Sequence, residues 1–211
     1  MSRAGANRPS VHRRGLLFIV SAPSGAGKTT LCSMAADTMD NIRYSTSVTT
    51  RAPREGEEDG IDYHFVDRLK FQEMVDRNDF LEWAEVHGNM YGTSLAELES
   101  LLDEGYDTLL DIDVQGAKQI RERVKRGVFI FVLPPSLNVC RERLLKREGD
   151  AVEDIDLRME NAKREMEEVE HYDYIIINDN LDAASEIFRS IILAERSRRV
   201  NALAEARRIF S

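Results

Sequence analysis

Residues 17–31, Leu-Phe-Ile-Val-Ser-Ala-Pro-Ser-Gly-Ala-Gly-Lys-Thr-Thr-Leu, carry an apolar run straight into a glycine-rich turn that ends in Gly-Lys-Thr. Such a stretch predicts a phosphate cradle. A buried strand delivers the chain to a loop whose backbone N–H groups converge on an anion, and the following helix points the positive end of its dipole at the same place. The candidate nucleotide-phosphate-binding residues are therefore Ala22, Pro23, Ser24, Gly25, Ala26, Gly27, Lys28, Thr29 and Thr30. Lys28 is expected to reach the outer phosphates and Thr29 to place its hydroxyl on Mg²⁺. The usual motif opens on Gly where this chain has Ala22, so the backbone there must accept a Cβ. The bland alternative is an ordinary strand-to-helix turn; the preceding apolar strand and the Ser-Gly-Ala segment weigh against it.

The rest of the composition bounds the protein around that motif. At 211 residues the chain can bury one sizeable core with a small insertion. Its 42% hydrophobic and 32% charged residues are those of a soluble globular protein, with no apolar stretch long enough to cross a bilayer. A net charge of −9 disfavours nonspecific binding to nucleic acid or anionic lipid, so basic clusters must be read as local sites. Residues 1–14 hold Arg3, Arg8, Arg13 and Arg14 without an acid and read as a disordered basic arm, a transit peptide being the alternative. Cys32 and Cys140 lack partners at metal spacing and are expected to be reduced helix residues of a cytoplasmic protein.

Nearly continuous apolar runs at 16–21, 107–113, 127–133 and 173–178 predict strands buried on both faces. Helical segments near 27–39, 114–125, 136–147, 156–171 and 181–210 separate them. That alternation predicts an α/β fold with a parallel-sheet core flanked by helices. The expected core comprises 15–41, 94–135 and 172–211, within one domain spanning 15–211. Residues 42–93 break the rhythm and read as a small antiparallel insertion, with paired strands at 44–50 and 62–66 and at 80–86 and 89–93. Residues 136–171 are a candidate helical lid, irregular at 146–156. At the C-terminal end, Ile187, Ile191, Ala194 and Leu203 recur at helical spacing as the expected packing face.

A phosphate cradle does not say what becomes of the phosphate. Arg51 and Arg54 stand three residues apart with Pro53 stiffening the backbone between them, and two guanidinium forks can clamp one phosphate. Tyr63 and Tyr91 could add phenolic donors. Glu82 sits in the apolar context Phe-Leu-Glu-Trp-Ala, where a buried carboxylate needs partners. Guanine offers them, since its N1–H and N2–H₂ form a donor pair that adenine lacks. Outward-facing surface positions are the alternative for each of these residues.

Six segments together resemble guanylate kinases, in order and spacing. They are Ser-Ala-Pro-Ser-Gly-Ala-Gly-Lys-Thr-Thr, Ser-Val-Thr-Thr-Arg-Ala-Pro-Arg-Glu-Gly-Glu, Gly-Ile-Asp-Tyr-His-Phe, Phe-Leu-Glu-Trp-Ala, Tyr-Gly-Thr and Leu-Asp-Ile-Asp-Val-Gln-Gly, and the likeness covers about 15–195. The resemblance implies that Arg51, Arg54, Tyr63 and Tyr91 hold the GMP phosphate, while Ser47, Glu82 and Thr93 read the guanine. It implies that Asp111 and Asp113 lie beside the nucleotides, Asp111 joining Thr29 in the Mg²⁺ shell. Arg143, Arg147 and Arg158 match lid arginines around the transferring phosphoryl group, completing with Lys28 and Arg51 the expected catalytic set. Asn178 matches a residue near the ATP base. Ala22 and Asn180, where Asp is common, are the visible departures.

The implied reaction is ATP + GMP → ADP + GDP, with dGMP a plausible second acceptor, and a monomer or homo-oligomer that needs neither nucleic acid nor membrane. Competing readings are a kinase for another nucleoside monophosphate, a non-catalytic module on the same fold that binds a phosphorylated peptide, and, last, a GTPase switch. The intact phosphate motif opposes the second, and the lack of an Asn-Lys-x-Asp motif opposes the third.

Overall fold

Leu17–Ser21 form strand β1, buried along its whole length, because Leu-Phe-Ile-Val has no polar face to turn to solvent. The computed structural model describes residues 13–86, 88–146 and 152–209. After β1 come α1 (Lys28–Thr38), β2 (Ile42–Tyr44), β3 (Val48–Thr49), β4 (His64–Phe65), α2 (Arg68–Asp76), β5 (Phe80–Val86), β6 (Asn89–Ser94) and α3 (Leu95–Asp103). The chain continues through β7 (Asp107–Asp111), α4 (Val114–Arg123), β8 (Val128–Leu133), α5 (Leu137–Lys146) and α6 (Val152–Glu167). A 3₁₀ turn (Glu168–His171), β9 (Tyr174–Ile177), α7 (Leu181–Ser197) and α8 (Arg199–Ile209) complete it.

Five strands form a parallel sheet in the order β2-β7-β1-β8-β9. Alternate residues of β1 feed two cores. Phe18 and Val20 pack with Leu31, Phe188 and Ile192 of α1 and α7. Leu17 and Ile19 pack with Leu98, Ala117 and Ile120 of α3 and α4. The α/β core is thus as the apolar runs predict for β1, β7 and β8, with β1 central and its carboxyl end leading into the glycine loop. Strand β9, expected to be buried on both faces, is instead an edge strand whose Ile175 and Ile177 are exposed.

Elsewhere the structure corrects the sequence reading. The insertion is a mixed sheet, not an antiparallel one: in the order β4-β3-β6-β5, β3 runs parallel to β4 and antiparallel to β6. A long connection between Thr49 and His64, held by the Gly60 N–H to Tyr63 carbonyl bond at 2.8 Å, lets the chain return in the same direction. The first residues of that stretch, β2, belong to the parallel sheet. The strand expected over 107–113 stops at Asp111 because Asp113 caps α4, its Oδ1 accepting the Gly116 N–H at 2.7 Å. The single helix expected over 181–210 is two, broken where Arg198 turns extended at ψ 136. The buried face of α7 is Ala184, Ser185, Phe188, Ile191, Ile192 and Glu195; of the stripe expected on this helix Ile191 is buried, whereas Ile187 is 46% exposed and Ala194 is also exposed. Helices α2 and α3, unread in the sequence, open on side-chain caps from Asp67 and Ser94. Of the arm expected to be disordered over 1–14, Arg13 and Arg14 are instead held in place, paired with Asp107 at 2.8 Å and Asp103 at 2.9 Å, while residues 1–12 and the lid stretch 147–151 lie outside the described residues. Both cysteines are free and buried, and among the described residues no helix is long and apolar enough to cross a membrane.

Candidate active site

The glycine loop presents an anion site built from backbone. Its left-handed positions fall on Gly25 (φ 84) and Gly27 (φ 89) rather than on Ala22, which is why a Cβ is accepted at the first position. Helix α1 has no side-chain cap and no acid in its first turn, whereas Asp67, Ser94, Asp113 and Asn180 cap α2, α3, α4 and α7. The first N–H groups of α1 are left for an anion.

Lys28, the first residue of α1, sets its ammonium 2.7 Å from Asp111 Oδ1 and donates to the Ile112 carbonyl at 2.6 Å. Burial pulls the lysine down, but the charge and hydrogen bond of Asp111 outweigh it and the net shift is upward. Burial likewise pushes Asp111 up, and Lys28, with hydrogen bonds from Tyr44 and Thr29, holds it below the ordinary carboxylate value. Both groups are therefore charged at neutral pH.

Behind the loop, Asn178 donates from Nδ2 to the Ala26 carbonyl at 2.8 Å, and a Cβ on Gly27 would stand 2.5 Å from that nitrogen. Asn178 thus braces the cradle, with its amide nitrogen already engaged. Arg143 on α5 also turns to the loop, bonding the Ala26 carbonyl at 3.4 Å and the Asn178 carbonyl at 3.0 Å. Glu165 on α6 meets the Ser24 backbone, and burial pushes its carboxyl up. Arg158 lies half-buried on α6; Arg147 is outside the described residues.

A second cavity of about 160 Å³ is lined by Ser47, Tyr63, Glu82, Tyr91, Asp111 and Asp113, with Ala84, Val86 and Ile112 supplying apolar wall. Glu82 reaches it through a β-bulge: the register between β5 and β6 shifts between Phe80 and Glu82, setting Glu82 opposite Thr93. Thr93 donates its hydroxyl to Glu82 Oε1 at 2.7 Å. Burial pushes the Glu82 carboxyl up to about 7, the Thr93 hydrogen bond opposing and nearby Asp113 adding. Gly116 leaves the room for it, since a Cβ there would lie 2.6 Å from Glu82 Oε2.

At the mouth, Arg51 pairs with Glu57 at 2.8 Å and lies over the Tyr63 ring at 5.2 Å. Glu57 also accepts the Arg54 backbone N–H at 2.7 Å, while the Arg54 side chain belongs to an exposed residue. Tyr63 and Tyr91 meet edge to face at 6.1 Å. The structure therefore gathers Lys28 and Thr29 on Asp111, and Thr93 on Glu82, and sets Asp111 and Glu82 on the wall of one cavity. Sequence reading missed Tyr44, Glu57, Gly116 and Glu165. Only Glu57, an acid six residues beyond Arg51, carried a legible signal.

A parallel sheet with a phosphate loop after its central strand, opening on a second cavity under a smaller sheet, defines a P-loop nucleotide-binding protein with room for two substrates. The guanylate kinase family model matches residues 14–195, and the chain belongs to the guanylate kinase family. It is 50% identical over 198 residues to the guanylate kinase of Syntrophotalea carbinolica, covering 94% of each chain. It is also 50% identical over 199 residues to that of Geobacter sulfurreducens, covering 94% of this chain and 98% of the relative. The crystal structure of guanylate kinase from Anaplasma phagocytophilum superposes with a TM-score of 0.71 at 35% identity, over 88% of both chains.

Proposed function

We propose that the chain transfers the γ-phosphoryl group of ATP to GMP, giving ADP and GDP, with dGMP as a second acceptor. The observation that carries this reading is the shared carboxylate wall: Asp111 touches Lys28 of the phosphate loop and lines the same cavity as Glu82. ATP occupies the loop with its phosphates on the uncapped start of α1. GMP occupies the second cavity, within the stretch 42–93 less β2, with its base against Glu82, Thr93 and Ser47 and its phosphate toward Arg51, Arg54, Tyr63 and Tyr91. Residues 136–171 act as the lid.

A GMP phosphate oxygen attacks the γ-phosphorus in line. A new P–O bond forms to GMP while the bond to the bridging oxygen breaks and leaves with ADP. The second pKa of a phosphate monoester is near 6, so the nucleophile arrives deprotonated and no general base is needed. The obstacle is repulsion between two polyanions, which Lys28, Arg51, Arg54, Arg143, Arg147 and Arg158 offset. Arg51 exchanges its Glu57 partner for, or shares it with, the incoming phosphate. Thr29 and Asp111 suit Mg²⁺, because their hard oxygens already lie in hydrogen-bonding contact and this ion takes few protein ligands beside phosphate and water. When bound, Mg²⁺ supplies charge neutralisation on the phosphates. The protein would act in the cytoplasm, in purine nucleotide metabolism and GMP recycling.

The test is ADP production from ATP and Mg²⁺ with GMP, AMP, CMP, UMP and dTMP offered separately at equal concentration. Strong turnover with GMP alone is expected. Turnover with a different monophosphate would overturn the role of Glu82, and none with any would move the weight to a phosphopeptide-binding module.

A further inference from the structure

We infer that Tyr44 is a positioning residue that sets the orientation of the Asp111 carboxylate for phosphoryl transfer, an inference that rests on the placement of Asp111 proposed above. Tyr44 is the last residue of β2 and pairs in register with Leu109 of β7. Asp111 stands two residues beyond Leu109, so the side chains of Leu109 and Asp111 leave the sheet on the same face. Along that face the Tyr44 hydroxyl donates to Asp111 Oδ2 at 2.5 Å, while Lys28 holds Oδ1 at 2.7 Å. A carboxylate tied through one oxygen can turn about its Cβ–Cγ bond; tied through both, by groups on different elements, it cannot.

The two ties differ in kind. Lys28 sits on the phosphate loop's own helix and must also face the nucleotide, so its hold on Asp111 changes whenever phosphate binds. Tyr44 is anchored elsewhere, its ring packed against the core formed by Phe18, Leu31 and Leu109. Its hydroxyl is a fixed donor that stays in place when Lys28 turns to phosphate. It keeps Asp111 Oδ2 engaged and leaves Oδ1 presented toward Lys28. The chain beyond Tyr44 runs directly to Ser47 on the cavity wall, so the same short segment touches both substrate regions.

Tyr44→Phe removes only the hydroxyl and keeps the packed ring. The experiment compares the parent, Tyr44→Phe, Asp111→Asn and the double variant by steady-state kinetics, thermal melting, and calorimetric titration of ATP with and without Mg²⁺. Loss of an orienting partner of this kind typically costs about 10–100-fold. Tyr44→Phe is expected to lower kcat by about tenfold with KM for GMP little changed. It should weaken ATP binding in the presence of Mg²⁺ and leave ATP binding without Mg²⁺ as in the parent. In the Asp111→Asn background the same substitution should have no further effect, because the anionic carboxylate it orients is gone. Independent, multiplying losses in the double variant would overturn the inference, as would a Tyr44→Phe protein that melts lower yet keeps parental kcat and Mg²⁺-dependent affinity. Parental turnover in Asp111→Asn alone would instead sink the placement of Asp111, and the role of Tyr44 with it.

Discussion

Glu82 is 4% exposed, and that burial sets stability against recognition. Its carboxyl, raised to about 7 from the ordinary 4.5, binds its proton more tightly in the folded chain than in the unfolded one. Its contribution to stability is therefore complete below about 4.5 and is lost as pH rises through about 7. Glu82→Gln should make the ligand-free protein more stable at pH 8 by roughly 2–3 kcal/mol, with the difference closing by pH 5, as thermal melts at both values would read. The same variant should lose GMP kcat/KM by orders of magnitude, since an amide turns a donor toward a donor. In the parent, kcat/KM for GMP should fall as pH drops from 8 to 6. In Glu82→Gln only the limb from the GMP phosphate itself, near 6, should remain. Gly116 belongs to the same scale. Gly116→Ala would push a methyl group to within 2.6 Å of Glu82 Oε2, and it should raise KM for GMP by at least about tenfold, equal to 1.4 kcal/mol. KM for ATP should stay near its parental value, a split that initial-rate kinetics with each nucleotide varied would detect.

At the scale of elements, α4 decides where the small sheet sits. Strand β5 is the edge of that sheet, with backbone groups that would otherwise face outward unpaired. Gln119 on α4 covers them, donating to the Trp83 carbonyl at 2.8 Å and accepting the Trp83 N–H at 3.3 Å. Arg123 donates to the Leu81 carbonyl at 2.7 Å. The helix whose cap is Asp113 thus grips the strand that bears Glu82, and the two carboxylates are held on facing walls of one cavity. Gln119→Ala should cost about 1 kcal/mol in urea unfolding, as two hydrogen bonds pass to solvent. Its kinetic signature should be a raised KM for GMP with KM for ATP unmoved, because both Gln119 hydrogen bonds go to Trp83 of the strand that bears Glu82.

The whole molecule is closed by a buried carboxylate at the start of β7. The Asp107 side chain is fully buried and pairs with Arg13 at 2.8 Å and Arg196 at 2.6 Å, and it accepts the Leu16 N–H at 2.7 Å. Segments from near the beginning, the middle and the end of the chain meet on this one group, behind the sheet and away from the cavity walls. Asp107→Ala would leave two largely buried guanidinium groups without their partner, a change that typically costs about 3–5 kcal/mol. A lower melting temperature with parental kcat at temperatures where the variant is folded is the expected result, and circular dichroism with kinetics on the same sample checks it.

What the amino-acid order determines is local. A strand of Leu-Phe-Ile-Val followed by Ser-Gly-Ala-Gly-Lys-Thr states its own conformation, because backbone freedom at Gly25 and Gly27 and the apolar run are properties of adjacent residues. The parallel core is legible for the same reason, its inner strands being unbroken runs, but the run of β9 does not reveal that Ile175 and Ile177 lie exposed at the sheet edge. Glu82 was legible as an anomaly, a carboxylate among apolar neighbours, but not the bulge that turns it inward or the absent Cβ of Gly116 that leaves it space. The direction of β4 and the membership of β2 rest on pairings between segments too short to show a period. The stripe read on α7 held at Ile191 and missed at Ile187 and Ala194 because that helix packs on α1 and the sheet through Phe188 and Ile192, a choice made by its neighbours. Tyr44, Gln119 and Asp107 look ordinary in the chain, and only the tertiary structure decided their roles. Hydrogen bonds and ion pairs between residues distant in sequence depend on where the elements pack, and no spacing within a single segment encodes that.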